Sequence, residues 1–263
     1  MSAPRLDIEA LTVRFGGLAA VDDVSFAVAA GTVHGLIGPN GAGKTTLFNL
    51  VSGLTPPGAG AIRLDGERID ALPSWGRAKL GLARTFQNIR MFQDMSALET
   101  VMTGMHTRLD EGLGASLLRM GGFRGAEGAA VAKAWELLDF VGLAEAAHRR
   151  SGDLPYGDQR RLEVARALAL DPRLLLLDEP AAGMNPSETH ALEALLEKLK
   201  ARGVTILLVE HDMHFVMRLC DRITVLNFGR KIAEGAPKEV RADPRVIEAY
   251  LGAKVARSLE APQ

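Results

Sequence analysis

The chain has 263 residues, enough for one large α/β domain or a domain with a smaller companion, and enough to bury a full core without disulfides or metals. Hydrophobic residues are 47% and charged residues 24% of the chain, which excludes a disordered or fibrous protein. The 31 Lys and Arg stand against 32 Asp and Glu, and a formal charge of −1 argues against a protein that coats nucleic acid by bulk charge.

The one cysteine, Cys220, rules out an internal disulfide framework and favours a reducing compartment. It follows the apolar run Phe215-Val216-Met217 and reads as a small buried hydrophobe. The first residues lack the apolar core of a signal peptide. No run approaches the ~20 apolar residues of a membrane span. The expectation is a soluble protein kept inside the cell, with any membrane association made through a partner.

In chain order, residues 8–15 and 21–28 read as strands, the second alternating as Val24, Phe26 and Val28. A short apolar strand over 32–37 runs into the loop Gly38–Gly43, and a helix follows from Thr45 to Gly53 with Leu47, Leu50 and Val51 on one face. Residues 55–60 form a loop, 61–64 a strand closed by an Asp65-Gly66 turn, and Gly81–Phe86 leads into another boundary. Residues 96–106 suit a helix with Ser96 as N-cap and Glu99 completing a capping box. Six glycines between 110 and 128 predict a loop-rich insertion. Helices are expected over 129–141, with Val131, Trp135, Leu138 and Val141 on one face, and from Gly157 to Leu170. Leu174–Leu177 and Thr205–Val209 are apolar on both faces, as strands of a parallel sheet are. Between them, Ser187–Arg202 is an amphipathic helix with Leu192, Leu195, Leu196 and Leu199 inward and Glu193, Glu197 and Lys200 outward. A helix over Met213–Leu219 and a strand over Ile223–Leu226 complete an alternation that implies right-handed crossovers. The tail from Arg257 is expected to fray. The pairs Arg149-Arg150 and Arg160-Arg161 read as solvated surface, and Met91, Met95, Met102 and Met105 as core packing.

Gly38-Pro39-Asn40-Gly41-Ala42-Gly43-Lys44-Thr45 fits G-x-x-x-x-G-K-[ST] between a predicted strand and a predicted helix. Glycines let backbone N–H groups curl around phosphate oxygens, and a helix N-terminus adds partial positive charge. Lys44 would place a full charge on the β- and γ-phosphates, and the Thr45 hydroxyl would ligate Mg²⁺. The competing reading is a glycine turn with a surface lysine. Leu174-Leu175-Leu176-Leu177-Asp178-Glu179 weighs against it, because four aliphatics deliver two carboxylates to the C-terminal edge of a parallel sheet, where ligands bind in open α/β folds. Asp178 would hold Mg²⁺ and Glu179 would polarise the attacking water.

With these motifs the sequence resembles the nucleotide-binding subunits of ATP-binding cassette (ABC) transporters, over about residues 5–252. Leu154-Pro155-Tyr156-Gly157-Asp158-Gln159-Arg160-Arg161 is similar to the family's signature segment, L-S-G-G-Q. The resemblance implies that Tyr156, Gly157 and Asp158 face the γ-phosphate of ATP held by a second subunit. Pro155 departs from the common serine. It has neither hydroxyl nor backbone N–H, which leaves Gly157 and the following helix as the phosphate-facing part. Gln87, in Thr85-Phe86-Gln87, resembles the Q-loop glutamine that reaches Mg²⁺ and water. His211, 32 residues after Glu179, resembles the switch histidine at the γ-phosphate. Phe15 resembles the aromatic that stacks on adenine, and Thr46 joins Gly38–Thr45 in the nucleotide site.

Ala181-Ala182-Gly183-Met184-Asn185-Pro186, the Tyr156–Arg161 segment, Arg84-Thr85-Phe86-Gln87, the glycine-rich insertion and the ending Asp243–Gly252 resemble the ATPase subunits of branched-chain amino-acid importers. The implied fold is α/β, a P-loop NTPase core with a mixed or parallel sheet, an antiparallel β subdomain and an α-helical subdomain. The core would span 1–87 and 171–263, and the helical subdomain, carrying the signature segment, 88–170. The implied cofactors are ATP and Mg²⁺. The implied partners are transmembrane permease subunits, a second ATPase subunit and, indirectly, a solute-binding protein, with no nucleic acid. The place would be the cytoplasmic face of the cell membrane. Two other readings are an ABC ATPase for another solute or lipid and a non-transport ABC ATPase. The latter usually carries two cassettes, a coiled-coil insertion or a basic arm. A P-loop GTPase or kinase would lack a use for His211 and the signature segment, and no N-K-x-D motif is present.

Overall fold

A computed structural model describes residues 4–85, 92–105 and 123–251. Two sheets organise it. Strands β1 (Leu6–Phe15), β2 (Leu18–Val28), β4 (Ala59–Leu64) and β5 (Glu67–Arg68) form an antiparallel sheet in the order β2-β1-β4-β5. Strands β3 (Val33–Ile37), β6 (Leu82–Arg84), β7 (Leu174–Asp178), β8 (Thr205–Val209), β9 (Arg222–Asn227) and β10 (Arg230–Gly235) form a second sheet in the order β10-β9-β3-β8-β7-β6. Five of its strands run parallel, and β10 closes the edge antiparallel to β9.

The parallel strands are buried on both faces, and alternate side chains feed two cores. Leu36, Leu174, Leu176, Leu207 and Val209 join Leu47, Leu50 and Val51 of helix α1 (Lys44–Ser52) and Ile8, Val24, Phe26 and Ile62 of the antiparallel sheet. Ile37, Leu175, Leu177, Ile206 and Leu208 face the other way, onto Leu192, Leu195, Leu196 and Leu199 of a helix over Pro186–Ala201. Because β3 and β7 both pair with β8, in registers Leu36↔Val209 and Asp178↔Val209, the three strands end level with one another. The loops that leave them therefore share one edge.

The connecting helices are α2 (Ser74–Lys79), α3 (Ala97–Thr103), α4 (Phe123–Phe140), α5 (Tyr156–Leu168), α6 (Pro186–Ala201), α7 (Met213–Leu219) and α8 (Pro237–Ala242). α3, α4 and α5 pack on one another. The Ser96–Glu99 capping box forms as expected: the Ser96 hydroxyl accepts the Glu99 N–H at 3.2 Å, and the Glu99 carboxylate accepts the Ser96 N–H at 2.8 Å.

Four expectations are corrected. α4 begins at Phe123, inside the stretch expected to be a loop, and runs on through Gly128 into the alanine-rich turns at Ala129, Ala130, Ala132 and Ala134, which favour helix. The rest of that stretch, 110–122, lies outside the described residues. The buried face of α4 is Ala130, Ala134, Leu137, Leu138 and Val141, with Trp135 at its edge against the His148 ring. Glu193 is buried rather than outward, since Arg218 reaches its carboxylate at 2.7 Å. Arg160 is buried as well: its guanidinium lies over the Tyr156 ring and bonds the Tyr156 hydroxyl at 2.8 Å. Cys220 is buried, and burial pushes its thiol up to about 12. Met105 packs in the core with Met102 against it, whereas Met91 lies outside the described residues.

Candidate functional site

The loop Gly38–Gly43 leaves β3 and turns at once into α1. Its course is possible only with glycine at two points. A Cβ on Gly43, whose φ is +101°, would sit 2.4 Å from the Ala20 carbonyl oxygen, and one on Gly38 would sit 2.2 Å from that of Leu226. The loop is thus pressed between β2 and the β9–β10 turn, with the crest at Asn40 and Gly41 left exposed to solvent and Pro39 and Ala42 on its flanks. No side chain caps α1 at Gly43, so its first-turn N–H groups remain donors for an anion. Thr45 is exposed and Thr46 half-buried on that turn.

The Lys44 ammonium folds back over the loop, donating to Gly38 O at 2.7 Å and Pro39 O at 3.1 Å. Burial pulls its pKa below the ordinary lysine value, and the charges of Glu179 and Asp178 oppose that shift. The loop cation and the two carboxylates predicted from the sequence therefore share one electrostatic site.

Asp178 is the buried last residue of β7, and Arg84 Nη2 donates to its Oδ2 at 2.9 Å. Glu179 follows with φ +47°, a left-handed backbone uncommon outside glycine and concentrated at functional sites. Its N–H donates to Val209 O at 2.9 Å, which fixes the turn against the end of β8. His211 lies just past β8 and is 62% exposed, with Nδ1 3.8 Å from Glu179 Oε2. Glu179 and His211, 32 positions apart, are thus brought together as expected.

One residue of the site was not foreseen. Glu210 is buried, and its carboxylate accepts the N–H groups of Ala181 at 2.8 Å, His211 at 3.0 Å and Asp212 at 3.5 Å. Burial pushes its carboxyl above the usual range, and those N–H groups pull it back. It ties the loop after Glu179 to the loop that carries His211. The only signal in the sequence was a glutamate at the end of an apolar strand.

Phe15 ends β1 at the Gly16-Gly17 turn and is 55% exposed. The next strand, β2, carries the Ala20 carbonyl that abuts Gly43, so Phe15 projects from the hairpin that flanks the phosphate loop. Gln87 lies outside the described residues. The signature segment is tied to the 181–188 region: the Tyr156 hydroxyl donates to Ala182 O at 3.0 Å, and a Cβ on Gly157 would meet the Glu188 carboxylate at 2.8 Å. Pro155 stands at the N-cap position of α5 and makes no side-chain cap, and Asp158 in the first turn pairs with Arg161 at 2.5 Å. The signature segment is thus fixed to the loop that follows Glu179.

The Thr45 hydroxyl and the Asp178 carboxylate are hard oxygens of the kind Mg²⁺ takes, one or two from protein with phosphate and water completing its shell. Among the described residues there is no group of three or more His, Cys, Asp or Glu that could hold a metal ion. Among them, too, no helix is long and apolar enough to cross a membrane.

Fold and site together define an ATPase of the P-loop class, with a phosphate loop, an Asp-Glu pair and a histidine on one sheet edge. Residues 21–182 match the ABC transporter family model, and residues 230–256 match that of the branched-chain amino acid ATP-binding cassette transporter. The chain is 49% identical over 253 residues to the high-affinity branched-chain amino acid transport ATP-binding protein BraF of Pseudomonas aeruginosa, covering 96% of this chain and 99% of that protein. It is 46% identical, with the same coverage, to the corresponding protein LivG of Salmonella typhimurium. The crystal structure of the ADP conformation of an ATP-binding cassette of an ABC transporter superposes with a TM-score of 0.82 at 31% identity, covering 95% of this chain and 99% of that one. The chain belongs to the ABC transporter family, as one of its ATP-binding, ATP-hydrolysing subunits.

Proposed function

We propose that this ATPase powers uptake of branched-chain amino acids through separate permease subunits, seated at the cytoplasmic face of the membrane and supplied by a solute-binding protein. The names of the relatives and the match over residues 230–256 support the cargo. The observation that carries the mechanism is the convergence of Lys44, Asp178, Glu179 and His211 on the ends of β3, β7 and β8.

In this reading the N–H groups of Gly38–Thr46 cradle the phosphates, Lys44 leaves its loop carbonyls for the β- and γ-phosphate oxygens, and Phe15 stacks on the base. Thr45 and Asp178, with Gln87, would hold Mg²⁺, which would supply positive charge against the phosphates. Glu179 orients the attacking water and takes its proton, while His211 donates to the γ-phosphate. Catalysis is positioning plus charge stabilisation. The signature residues Tyr156, Gly157 and Asp158 serve a second copy or a paralogous ATPase, as the resemblance of this segment to the family's signature implies. ATP then closes the pair, since the γ-phosphate makes its second set of contacts only in the closed state. Residues 88–170 act as the helical subdomain that passes closure to the permease, and 1–87 with 171–263 as the nucleotide core.

The test is uptake of labelled leucine, isoleucine and valine in source cells carrying Glu179→Gln, with an unrelated solute as control. Selective loss of the three is expected. Undiminished uptake of all three would reject the cargo.

A further inference from the structure

In the segment Arg84-Thr85-Phe86-Gln87 only Gln87 has a role so far, yet the arginine is held by both α1 and the end of β7. Arg84 ends β6 and reaches across to the end of β7. Its side chain is 8% exposed and that of its partner Asp178 is 7% exposed. Nη2 donates to Asp178 Oδ2 at 2.9 Å, while Nη1 donates to Asn49 Oδ1 and Ser52 Oγ, both at 2.8 Å. The guanidinium carbon lies 5.7 Å from the centre of the Phe48 ring. Three residues of α1 thus fix the guanidinium before it meets the carboxylate.

A buried ion pair is weak evidence for stability, because desolvation offsets the attraction and a packed apolar pair does as well. Orientation is a better account here. Holding Oδ2 on a rigid planar fork fixes the direction of Oδ1. The same fork is anchored on the last turn of α1, whose first turn carries Lys44 and Thr45. The two oxygens assigned to the metal, on Thr45 and Asp178, are therefore linked through one helix and one guanidinium. From this geometry we infer that Arg84 is a positioning residue for the metal site, setting Asp178 against the helix that presents Thr45. The inference rests on the Mg²⁺ reading given above.

The experiment compares the affinity of the full chain for ATP in Mg²⁺ and in EDTA, by calorimetry, for wild type, Arg84→Gln, Arg84→Lys and Asn49→Ala. Wild type should bind ATP more tightly with Mg²⁺. In Arg84→Gln that enhancement should shrink by about 10-fold, the scale seen when a group orienting a metal ligand is lost. Its affinity in EDTA, set by the phosphate loop and Lys44, should stay within about twofold of wild type. Arg84→Lys should resemble Arg84→Gln, because an ammonium cannot span Asp178, Asn49 and Ser52 at once. Asn49→Ala, which leaves the pair but loosens its anchor, should lose part of the enhancement, and it decides the matter if Arg84→Gln does not fold. An undiminished enhancement in a folded Arg84→Gln, or an equal loss of affinity in both buffers, overturns the role of Arg84 alone. No Mg²⁺ enhancement in wild type overturns the metal reading and this inference together.

Discussion

His211 Nδ1 stands 3.8 Å from Glu179 Oε2, although the two residues leave different strands. The distance is set by backbone. The Glu179 N–H bonds to Val209 O, and Glu210 holds the N–H groups of both Ala181 and His211. A substrate entering between them meets a carboxylate and an imidazole whose loops are already fixed.

Removing the base while keeping its shape should separate binding from chemistry. Glu179→Gln is expected to bind ATP with near wild-type affinity, to turn over about 100-fold or more slowly, and to accumulate as a closed dimer. Phosphate release and size-exclusion chromatography in ATP read both effects. Turnover near wild type would remove Glu179 from the role of base.

Lys44→Ala should act earlier. It deletes the charge placed for the phosphates and also two hydrogen bonds that shape the loop, to Gly38 O and Pro39 O. A charge-assisted hydrogen bond is worth about 2 kcal/mol, so ATP affinity should fall by about 30-fold or more. Calorimetric titration with ATP checks it, and retained tight binding would reject the phosphate-loop assignment.

Much of this was legible in the sequence because each signal was local. The phosphate loop needs glycine at fixed points, and the structure shows carbonyls of Ala20 and Leu226 where side chains would go. The strands at 174–178 and 205–209 announce themselves by burial on both faces. What escaped were features decided by distant partners. Glu193 looked solvated on its own helix, yet Arg218 brings it inside. The face of α4 is set by its packing against α3 and α5, where Ala130 and Ala134 are buried and Trp135 stays at the edge. Arg84 lies in a recognisable segment and Glu210 at a strand end, but only the fold reveals that one joins α1 to β7 and the other joins two loops.

The role of Glu210 can be tested apart from nucleotide binding. Glu210→Ala leaves three backbone N–H groups without their acceptor in a buried site, at a stability loss of about 3 kcal/mol. ATP affinity should stay near wild type, because the phosphate loop is untouched, while kcat falls by about 10-fold as Glu179 and His211 lose register. Equal kcat in a folded variant would make Glu210 a purely structural acid. Urea titration alongside steady-state ATPase assays separates the two effects.

His34 supplies a pH dependence of the fold itself. It sits in β3, four residues before the phosphate loop, stacked on Phe26 with ring centres 5.3 Å apart and bonded to Thr224 at 2.9 Å. Burial pulls its pKa from 6.5 down to about 4, with the positive charges of Arg222 and Lys231 adding to the shift and Glu234 opposing it. The unfolded chain takes up the proton near pH 6.5, whereas the folded chain resists it until about pH 4, so stability present at neutral pH is lost as the pH falls through that window. Between pH 7.5 and 5 the linkage amounts to about 2 kcal/mol. His34→Gln can keep a hydrogen bond to Thr224 and has no proton to gain. Urea unfolding at the two pH values should therefore show wild type losing about 2 kcal/mol more than the variant. Parallel losses in the two proteins would mean that His34 is not held neutral, and that the acid sensitivity arises from carboxylates elsewhere.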